Sequence, residues 1–263
     1  MTTIQTNRGE ILDQLRALER QHGFRVLFAC ESGSRAWGFA SDDSDYDVRF
    51  IYVHRPEWYL SVRQLPDSVT FFASDTLDLA GWDLRKALGL FGRSNGALLE
   101  WLHSPIRYVE HPDLMPLWRA LVPDVLNPRA LAAHYLGMAW KLWLVARDGE
   151  AVSTKKYLYI LRTVLAARWV ISRKSPPPVA FARLLEEALN EDDLRGRCRA
   201  LVAAKAAAQE SSAGARDHVL DQWLTAQFQA LRILNADLPN LSADHEVIDT
   251  FFRHALEDVW SGI

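Results

Sequence analysis

Two aspartates at the start of an apolar segment constrain the fold of this 263-residue chain more than any other feature. Asp45 and Asp47 directly precede an apolar run that ends at Val53. Because side chains at positions i and i+2 of a strand point to the same face, the two carboxylates are expected side by side. Upstream, Gly33 and Ser34 follow another apolar segment and predict a tight turn.

The chemistry of this pattern favours a phosphate site with metal ions. Neighbouring carboxylates repel each other unless a cation lies between them. Mg²⁺ prefers oxygen ligands and substrate phosphates, so two Mg²⁺ ions, with Mn²⁺ as an alternative, fit Asp45 and Asp47. The backbone N–H groups and the hydroxyl of Gly33 and Ser34 suit a triphosphate. The competing interpretation is a solvated acidic turn over residues 41–45, which is common. The flanking apolar strands and the Gly-Ser turn favour the metal site.

Composition excludes several other classes of protein. With 49% hydrophobic and 24% charged residues, the chain can bury a large core. Its net charge of −3 gives no general attraction for nucleic acid, so a polynucleotide would need a local basic patch. Two cysteines, Cys30 and Cys198, are too few for a disulfide framework or a zinc site. No membrane span and no signal peptide are predicted, so we expect a cytoplasmic protein.

Hydrophobic periodicity predicts an α+β fold in which a mixed sheet is followed by helices. The first helix carries Ile11, Leu15 and Leu18, with Asn7 and Glu10 as a capping pair. Strands are predicted at 24–30, 46–53, 69–72 and 76–79, and shorter helices at 84–91, capped by Asp83, and at 98–102. Long helices are predicted at 129–148, 153–173 (capped by Ser153), 180–189, 192–209, 217–236 and 243–260, with a flexible loop at 211–214. We expect a catalytic domain over residues 1–122 and a helical domain over 123–263 that closes over a nucleotide.

These motifs resemble a known superfamily. The segment 31–49, read with segments 77–88, 94–105 and 155–162, resembles the DNA polymerase β-like nucleotidyltransferases. Within that superfamily it is similar to the RlaP/YcgL-like predicted nucleotidyltransferases, some of which are linked by gene context to RNA ligases. The resemblance spans roughly residues 24–240, and it implies a polymerase-type metal site.

Such a site implies a third carboxylate. The best candidate is Asp78, an acid between Leu77 and Leu79 on a predicted strand. The alternative for Asp78 is an edge-strand charge that faces water. Asp83 is a rival, although its position suits a helix cap better. Asp43 is set aside because it precedes the strand.

Several cations and one aromatic ring are candidates for binding the nucleotide. Arg35 follows the Gly-Ser turn, and Arg49 shares the face of Asp47. Either guanidinium could bind phosphate, whereas Arg49 could equally offset the repulsion among the acids. Lys155, Tyr159 and Arg162 are spaced to share one helix face. That face fits a triphosphate and a base, and its alternative is a solvated helix surface.

The sequence therefore predicts a metal-dependent nucleotidyltransferase. An acceptor would attack the α-phosphorus of a nucleoside triphosphate, and pyrophosphate would leave. Asp45 and Asp47 would hold both ions, Asp78 would complete the site, and Gly33 with Ser34 would bind the β- and γ-phosphates. The acceptor is left open among an RNA end, a protein hydroxyl and a small molecule. The rival is a non-catalytic nucleotide- or RNA-binding module of the same fold.

Overall fold

A five-stranded mixed sheet forms the centre of the first half of the chain. The computed structural model describes residues 2–41, 44–149, 151–207 and 213–261. The strands are β1 (Arg25–Glu31), β2 (Tyr46–Val53), β3 (Ser68–Ser74), β4 (Leu77–Asp83) and β5 (Arg107–Glu110), with a second, two-stranded sheet of β6 (Ala151–Ser153) and β7 (Ala213–Ala215). The large sheet has the order β3-β4-β2-β1-β5. Its β2–β4 pair is parallel, whereas β1–β2, β1–β5 and β3–β4 are antiparallel.

The helices predicted from the sequence are present in the structure. The helices are α1 (Thr2–His22), α2 (Gly33–Trp37), α3 (Pro56–Tyr59), α4 (Leu84–Phe91), α5 (Gly96–Leu102), α6 (Leu114–Ala120), α7 (Val122–Val125), α8 (Pro128–Ala146), α9 (Thr154–Arg173), α10 (Phe181–Ala188), α11 (Asp192–Ala207), α12 (His218–Ala236) and α13 (His245–Trp260). The short helices α2, α3, α6 and α7 were not predicted. The mixed sheet followed by helices confirms the predicted α+β class.

Two predicted helix caps are confirmed, and one is wrong. The Asp83 side chain accepts a hydrogen bond from the Arg85 backbone N–H at 2.8 Å. Ser153 likewise accepts from the Lys156 N–H at 3.3 Å at the start of α9. The predicted cap at Asn7 is wrong, because α1 already begins at Thr2.

The predicted loop at 211–214 is partly replaced by a strand. Residues 211 and 212 lie outside the described residues. Ala213–Ala215 instead pairs as β7 with β6. The alternation of small residues there is too short to give a strand signal.

The pleat of β2 separates its side chains between two apolar layers. Phe50 and Tyr52 pack with Ile11 and Leu15 of α1 on one face. Ile51 belongs to the core on the opposite face. Asp47 and Arg49 have the parity of Ile51, so they face the helices of the second half.

One hydrophobic core joins the sheet to those helices. It includes Leu27 and Ile51 from the strands, and Leu161, Leu184 and Leu224 from α9, α10 and α12. Helix α7 crosses the predicted boundary at residues 122 and 123, and the division into two domains stays a prediction. Within the described part of the chain, no helix combines the length and apolarity that spanning a membrane requires.

Candidate active site

The parallel pairing of β2 and β4 brings two of the predicted acids together. In the register of this pair, Asp47 lies directly opposite Asp78. Residues in register on neighbouring strands point to the same face of the sheet. The two carboxylates are therefore adjacent, although 30 other residues separate them along the chain.

Arg49 bridges these two carboxylates. Its Nη2 atom lies 3.0 Å from Asp47 Oδ1 and 2.9 Å from Asp78 Oδ2. All three side chains are at most about one-third exposed, so water screens these charges only partly. Asp78 Oδ1 is buried and has no hydrogen-bond partner in the part of the chain that the structure describes. Arg49 therefore lies where it offsets the repulsion between the two acids. Its contact with Asp78 is made through Oδ2 and does not involve Oδ1.

Gly33 makes room for the carboxylate of Asp47. A Cβ atom placed on Gly33 would lie 2.3 Å from Asp47 Oδ2, and the residue has a φ of +62°. Both the space and the left-handed backbone conformation favour glycine. The predicted tight turn at Gly33 and Ser34 is instead the start of helix α2, where Gly33 leaves space for the acid.

A buried glutamate holds the start of the strand. Glu31 is 1% exposed, and its Oε1 atom accepts a hydrogen bond from the Asp47 N–H at 2.7 Å. Its Oε2 atom accepts from the Tyr108 hydroxyl at 2.5 Å. Burial raises the pKa of the Glu31 carboxyl. Glu31 was not anticipated from the sequence as part of the site, although an acid at the end of an apolar strand is a sign of buried partners.

The electrostatics of Asp47 reflect a cluster of acids. Burial raises the pKa of Asp47, and the charges of Asp78 and Asp45 raise it further. The charges of Arg49 and Lys155 oppose this rise. The charges of Asp45 and Lys155 thus both act on the Asp47 carboxyl, and the roles of these two residues in the site stay predictions.

Arg35 orders the loop that carries Asp45. Its guanidinium donates to the carbonyls of Ser44 at 2.5 Å and Asp45 at 3.1 Å, and it covers the ring of Tyr46 at 3.8 Å. Asp45 itself is exposed. Ser34 is buried in α2, where its carbonyl accepts from two backbone N–H groups. The phosphate roles of Arg35 and Ser34 stay predictions.

A cleft of about 290 Å³ opens between the acids and the helical half. Its lining residues come from helix α2 and the residue before it, and from β2, α5, α8 and α9. They are Ser32, Gly33, Trp37, Asp47, Arg49, Ala97, Glu100, Trp101, His134, Tyr135, Met138, Leu142, Tyr159, Arg162 and Thr163. Gly33, Asp47, Arg49, Tyr159 and Arg162 are therefore brought together by the fold.

The wall of the cleft contains a buried ion pair. Arg162 is 1% exposed, and its Nη1 atom lies 2.8 Å from Glu100 Oε1. Trp37 Nε1 and the Tyr135 hydroxyl also donate to Glu100, at 3.1 Å and 2.9 Å. The Arg162 guanidinium lies over the Trp37 ring at 4.3 Å. The Glu100 carboxylate thus largely neutralises the Arg162 guanidinium, so Arg162 would attract a triphosphate less strongly than an unpaired arginine.

Aromatic residues cover much of the remaining wall. The ring of Tyr159 meets Trp37 edge to face at 4.9 Å, and Trp101 stacks on Trp82 at 3.8 Å. Burial lowers the pKa of His134, and its buried Nε2 atom has no hydrogen-bond partner among the described residues. Glu100 was not predicted as part of the site, although a single acid among five apolar residues of α5 signals a buried partner.

The donor chemistry of the acids fits a hard divalent cation. Asp47 and Asp78 offer adjacent carboxylates, and Asp78 Oδ1 is an orphaned buried acceptor. Among the described residues, no three acidic, histidine or cysteine side chains are close enough to hold a metal ion by themselves. Mg²⁺ is commonly held by one or two carboxylates together with substrate phosphates, so this pair suits that mode.

Comparison with known proteins identifies the family. The family described as "RlaP: RNA repair pathway DNA polymerase beta family" matches residues 8–254. The Bacillus subtilis (strain 168) protein YcgL, described as uncharacterized, is 37% identical over 254 residues, 95% of this chain and 96% of that protein. A nucleotidyltransferase-like protein from Exiguobacterium sibiricum 255-15 has 13% identity and a TM-score of 0.33, over 86% of this chain and 74% of that one. With a family match over most of its length, this chain belongs to the RlaP family of polymerase-β-like nucleotidyltransferases.

Proposed function

We propose that this protein is a metal-dependent enzyme that transfers a nucleoside monophosphate from a triphosphate to an acceptor. The observation that carries the proposal is the register of Asp47 opposite Asp78, with Gly33 leaving space for the first carboxylate. Two or three carboxylates beside a phosphate-binding segment are what polymerase-type phosphoryl transfer requires.

The cleft supplies the contacts for the nucleotide. Trp37, Trp101 and Tyr159 offer aromatic faces for a base. The unpartnered Nε2 atom of His134 is a hydrogen-bonding group that a base edge could satisfy. Lys155, near the N-terminus of α9, adds positive charge on the side of Asp47, where the phosphates would lie.

The reaction forms one P–O bond and breaks another. An acceptor hydroxyl oxygen bonds to the α-phosphorus, the bond from that phosphorus to the bridging oxygen breaks, and pyrophosphate leaves. Asp78, whose Oδ1 atom is a buried acceptor without a hydrogen-bond partner among the described residues, would take the hydroxyl proton. Asp45, Asp47 and Asp78 would hold Mg²⁺, which supplies charge neutralisation at the phosphates. The remaining contribution to catalysis would come from holding the acceptor and the triphosphate in the geometry of the reaction.

Among the three candidate acceptors, an RNA end is favoured. The description of the matching family names an RNA repair pathway. We therefore propose an RNA hydroxyl or phosphate as the acceptor and a nucleoside triphosphate as the donor.

The test is incubation of the protein with Mg²⁺, each labelled triphosphate and an RNA pool. We expect labelled RNA and pyrophosphate in equal amounts. Asp47→Asn and Asp78→Asn should each lower transfer more than about tenfold, since each removes charge at the reacting phosphates. Asp249→Asn, an exposed substitution on α13, is the matched control and should keep full activity. Wild-type-like transfer by Asp47→Asn would refute the assignment.

One observation favours the binding-module alternative. Arg49 already pairs with both Asp47 and Asp78, so the acids are neutralised without a metal ion. Under this alternative the protein binds nucleotide or RNA with no need for Mg²⁺ and releases no pyrophosphate. Binding constants measured with Mg²⁺ and with EDTA, alongside pyrophosphate release, separate the two functions.

A further inference from the structure

The end of the sheet opposite the acids carries a concentration of positive charge. Val53 at the end of β2 pairs with Arg25 at the start of β1, so these termini share one edge of the molecule. Asp47 lies at the other end of β2. At about 3.3 Å per residue, the eight steps from Asp47 to Arg55 cover about 25 Å.

We name this edge the arginine surface. It lines an open cleft of about 480 Å³ and consists of Arg16, Arg20, Arg25, Arg55 and Trp260, with Glu19 and Phe24 among the other lining residues. The Arg55 guanidinium lies 4.5 Å from the Trp260 ring centroid, and that of Arg25 lies 5.9 Å from it. Both cations therefore frame an aromatic ring at the surface.

Most of this charge is not balanced by acidic side chains. Within the described ranges, Arg20, Arg25 and Arg55 are exposed and form no ion pair. Arg16 pairs with Asp13 at 3.3 Å, and both side chains are more than half exposed. The single acid of the cleft, Glu19, accepts a hydrogen bond from the Val26 N–H at 2.8 Å. The arginine surface is thus locally positive, although the whole chain has a net charge of −3.

An aromatic cleft of about 550 Å³ adjoins the arginine surface through Phe24, which lines both. His54 stacks on Trp58 with ring centroids 4.3 Å apart and planes inclined by 8°. Tyr52 also lines this cleft, and its buried hydroxyl has no hydrogen-bond partner within the described ranges. Planar faces and an unused hydroxyl are suited to a base and its polar edge.

We propose that the arginine surface and the adjoining aromatic cleft bind single-stranded RNA. Arg20, Arg25 and Arg55 contact phosphates, and bases stack on Trp58 and Trp260. Only an unpaired strand offers both a row of phosphates and free base faces. An acidic peptide matches the charge but not the aromatic rings. The choice of RNA rests on the proposed function, in which this strand is the acceptor.

The geometry sets a length for the bound strand. The distance along β2 is a minimum, because Asp47 and Tyr52 face opposite sides of the sheet. With about 3.4 Å of rise per stacked nucleotide, a strand must have at least about eight nucleotides to reach from Arg55 to Asp47. Shorter acceptors would reach the acids without touching the arginine surface. The surface would therefore favour long RNA molecules as acceptors.

The experiment measures binding without triphosphate or metal, so that it is independent of catalysis. Labelled single-stranded RNA of about 16 nucleotides, twice the required span, is titrated by fluorescence anisotropy at several salt concentrations. The triple variant Arg20→Ala/Arg25→Ala/Arg55→Ala is compared with Arg183→Ala/Arg199→Ala/Arg253→Ala. The control removes the same charge from exposed side chains on α10, α11 and α13.

We expect the first triple variant to raise the Kd at least about tenfold and the control less than about twofold. Three lost phosphate contacts should also reduce the slope of log K against log salt by about 2. Trp58→Leu should raise the Kd about fivefold or more with an unchanged slope, because stacking carries no charge. Thermal melts check folding, and Arg20→Glu replaces the triple variant if that variant is unfolded.

Three results would overturn the inference: equal affinity of the two triple variants, blunt duplex RNA bound as tightly as the single strand, or displacement of the RNA by poly-glutamate at equal charge. The outcome is also separable from the proposed function. RNA binding at this surface without nucleotide transfer would refute the enzyme and keep the surface. If the arginine triple variant transfers nucleotide to long RNA at full efficiency, the RNA-binding surface is refuted and the enzyme is kept.

Discussion

The carboxylate of Asp47 occupies the space that any side chain at position 33 would need. A Cβ on Gly33 would lie only 2.3 Å from Asp47 Oδ2, well inside van der Waals contact. The glycine that the sequence presents as part of a phosphate motif is therefore also a packing constraint on the carboxylate of Asp47.

Gly33→Ala should lower both stability and activity. The positive φ alone costs about 1–2 kcal/mol for a residue other than glycine, and the contact with Asp47 adds to it. Gly38→Ala is the matched control, because Gly38 has a φ of +83° with nothing within 4 Å of a Cβ. Urea unfolding and transfer assays should show that Gly38→Ala loses stability alone, while Gly33→Ala also loses transfer. Equal activities would contradict the positioning of Asp47 by Gly33.

Arg49→Gln should make the fold more dependent on a divalent cation. The substitution leaves Asp47 and Asp78 without their shared counter-charge, so the metal-free protein should melt at a lower temperature. Mg²⁺ should then raise the melting temperature of the variant more than that of the wild type. Calorimetry without nucleotide, with and without Mg²⁺, measures both shifts. An Mg²⁺ effect no larger than in the wild type would argue against a cation between these acids.

Glu100→Ala should be strongly destabilising. The substitution leaves Arg162 buried without its partner and removes an acceptor from Trp37 and Tyr135, at a cost of about 3–5 kcal/mol. Glu187→Ala breaks the exposed Arg183 pair on α10 and should cost less than about 1 kcal/mol. Denaturant unfolding of both variants gives the comparison. Similar losses would mean that the buried pair contributes little.

His54 should make the fold sensitive to acid. Burial, with a smaller effect of the His22 charge, lowers the pKa of His54 to about 4 from an ordinary value of 6.5. Between pH 4 and 6.5 the folded state thus binds fewer protons at His54 than the unfolded state. The neutral His54 therefore makes its full contribution to the free energy of unfolding above pH 6.5, and this contribution is lost as the pH falls towards 4. His54→Phe should flatten the unfolding free energy over this window relative to the wild type. Parallel pH profiles for the two proteins would exclude His54 as the source.

The long helices and the strands β1 to β4 could be predicted because their hydrophobic periodicity is strong and local. The short elements, among them α2, α3 and β5, have too few residues for such a pattern and were not predicted. Asp83 and Ser153 cap their helices as expected, since a cap depends only on neighbours in sequence. The proximity of Asp78 to Asp47 was inferred from chemistry. The register that places Asp78 opposite Asp47 could not be predicted from the sequence, because the parallel pairing of β2 with β4 is decided by non-local packing.

The partners of buried charges could not be predicted either. The spacing of Lys155, Tyr159 and Arg162 correctly placed the last two on one wall of the cleft. Nothing in that spacing revealed that Arg162 pairs with Glu100 on α5, because the pair joins elements that are distant in sequence. Helical periodicity gives the face of a helix, whereas the charge on the opposite wall is set by the tertiary fold.

The hydrophobic core shared by the sheet and the helices has a consequence for nucleotide exchange. Rotating the helical half away as a rigid lid would return the joined apolar surface to water, at about 25 cal/mol per Å², and would break the Glu100–Arg162 pair. We therefore expect entry and exit through rotamer changes at the rim, where Met138 is 43% exposed. Such motions take nanoseconds rather than the microseconds to milliseconds of lid closure. The residence time of a bound nucleotide should then depend on its contacts inside the cleft, because binding would need little reorganisation of the protein.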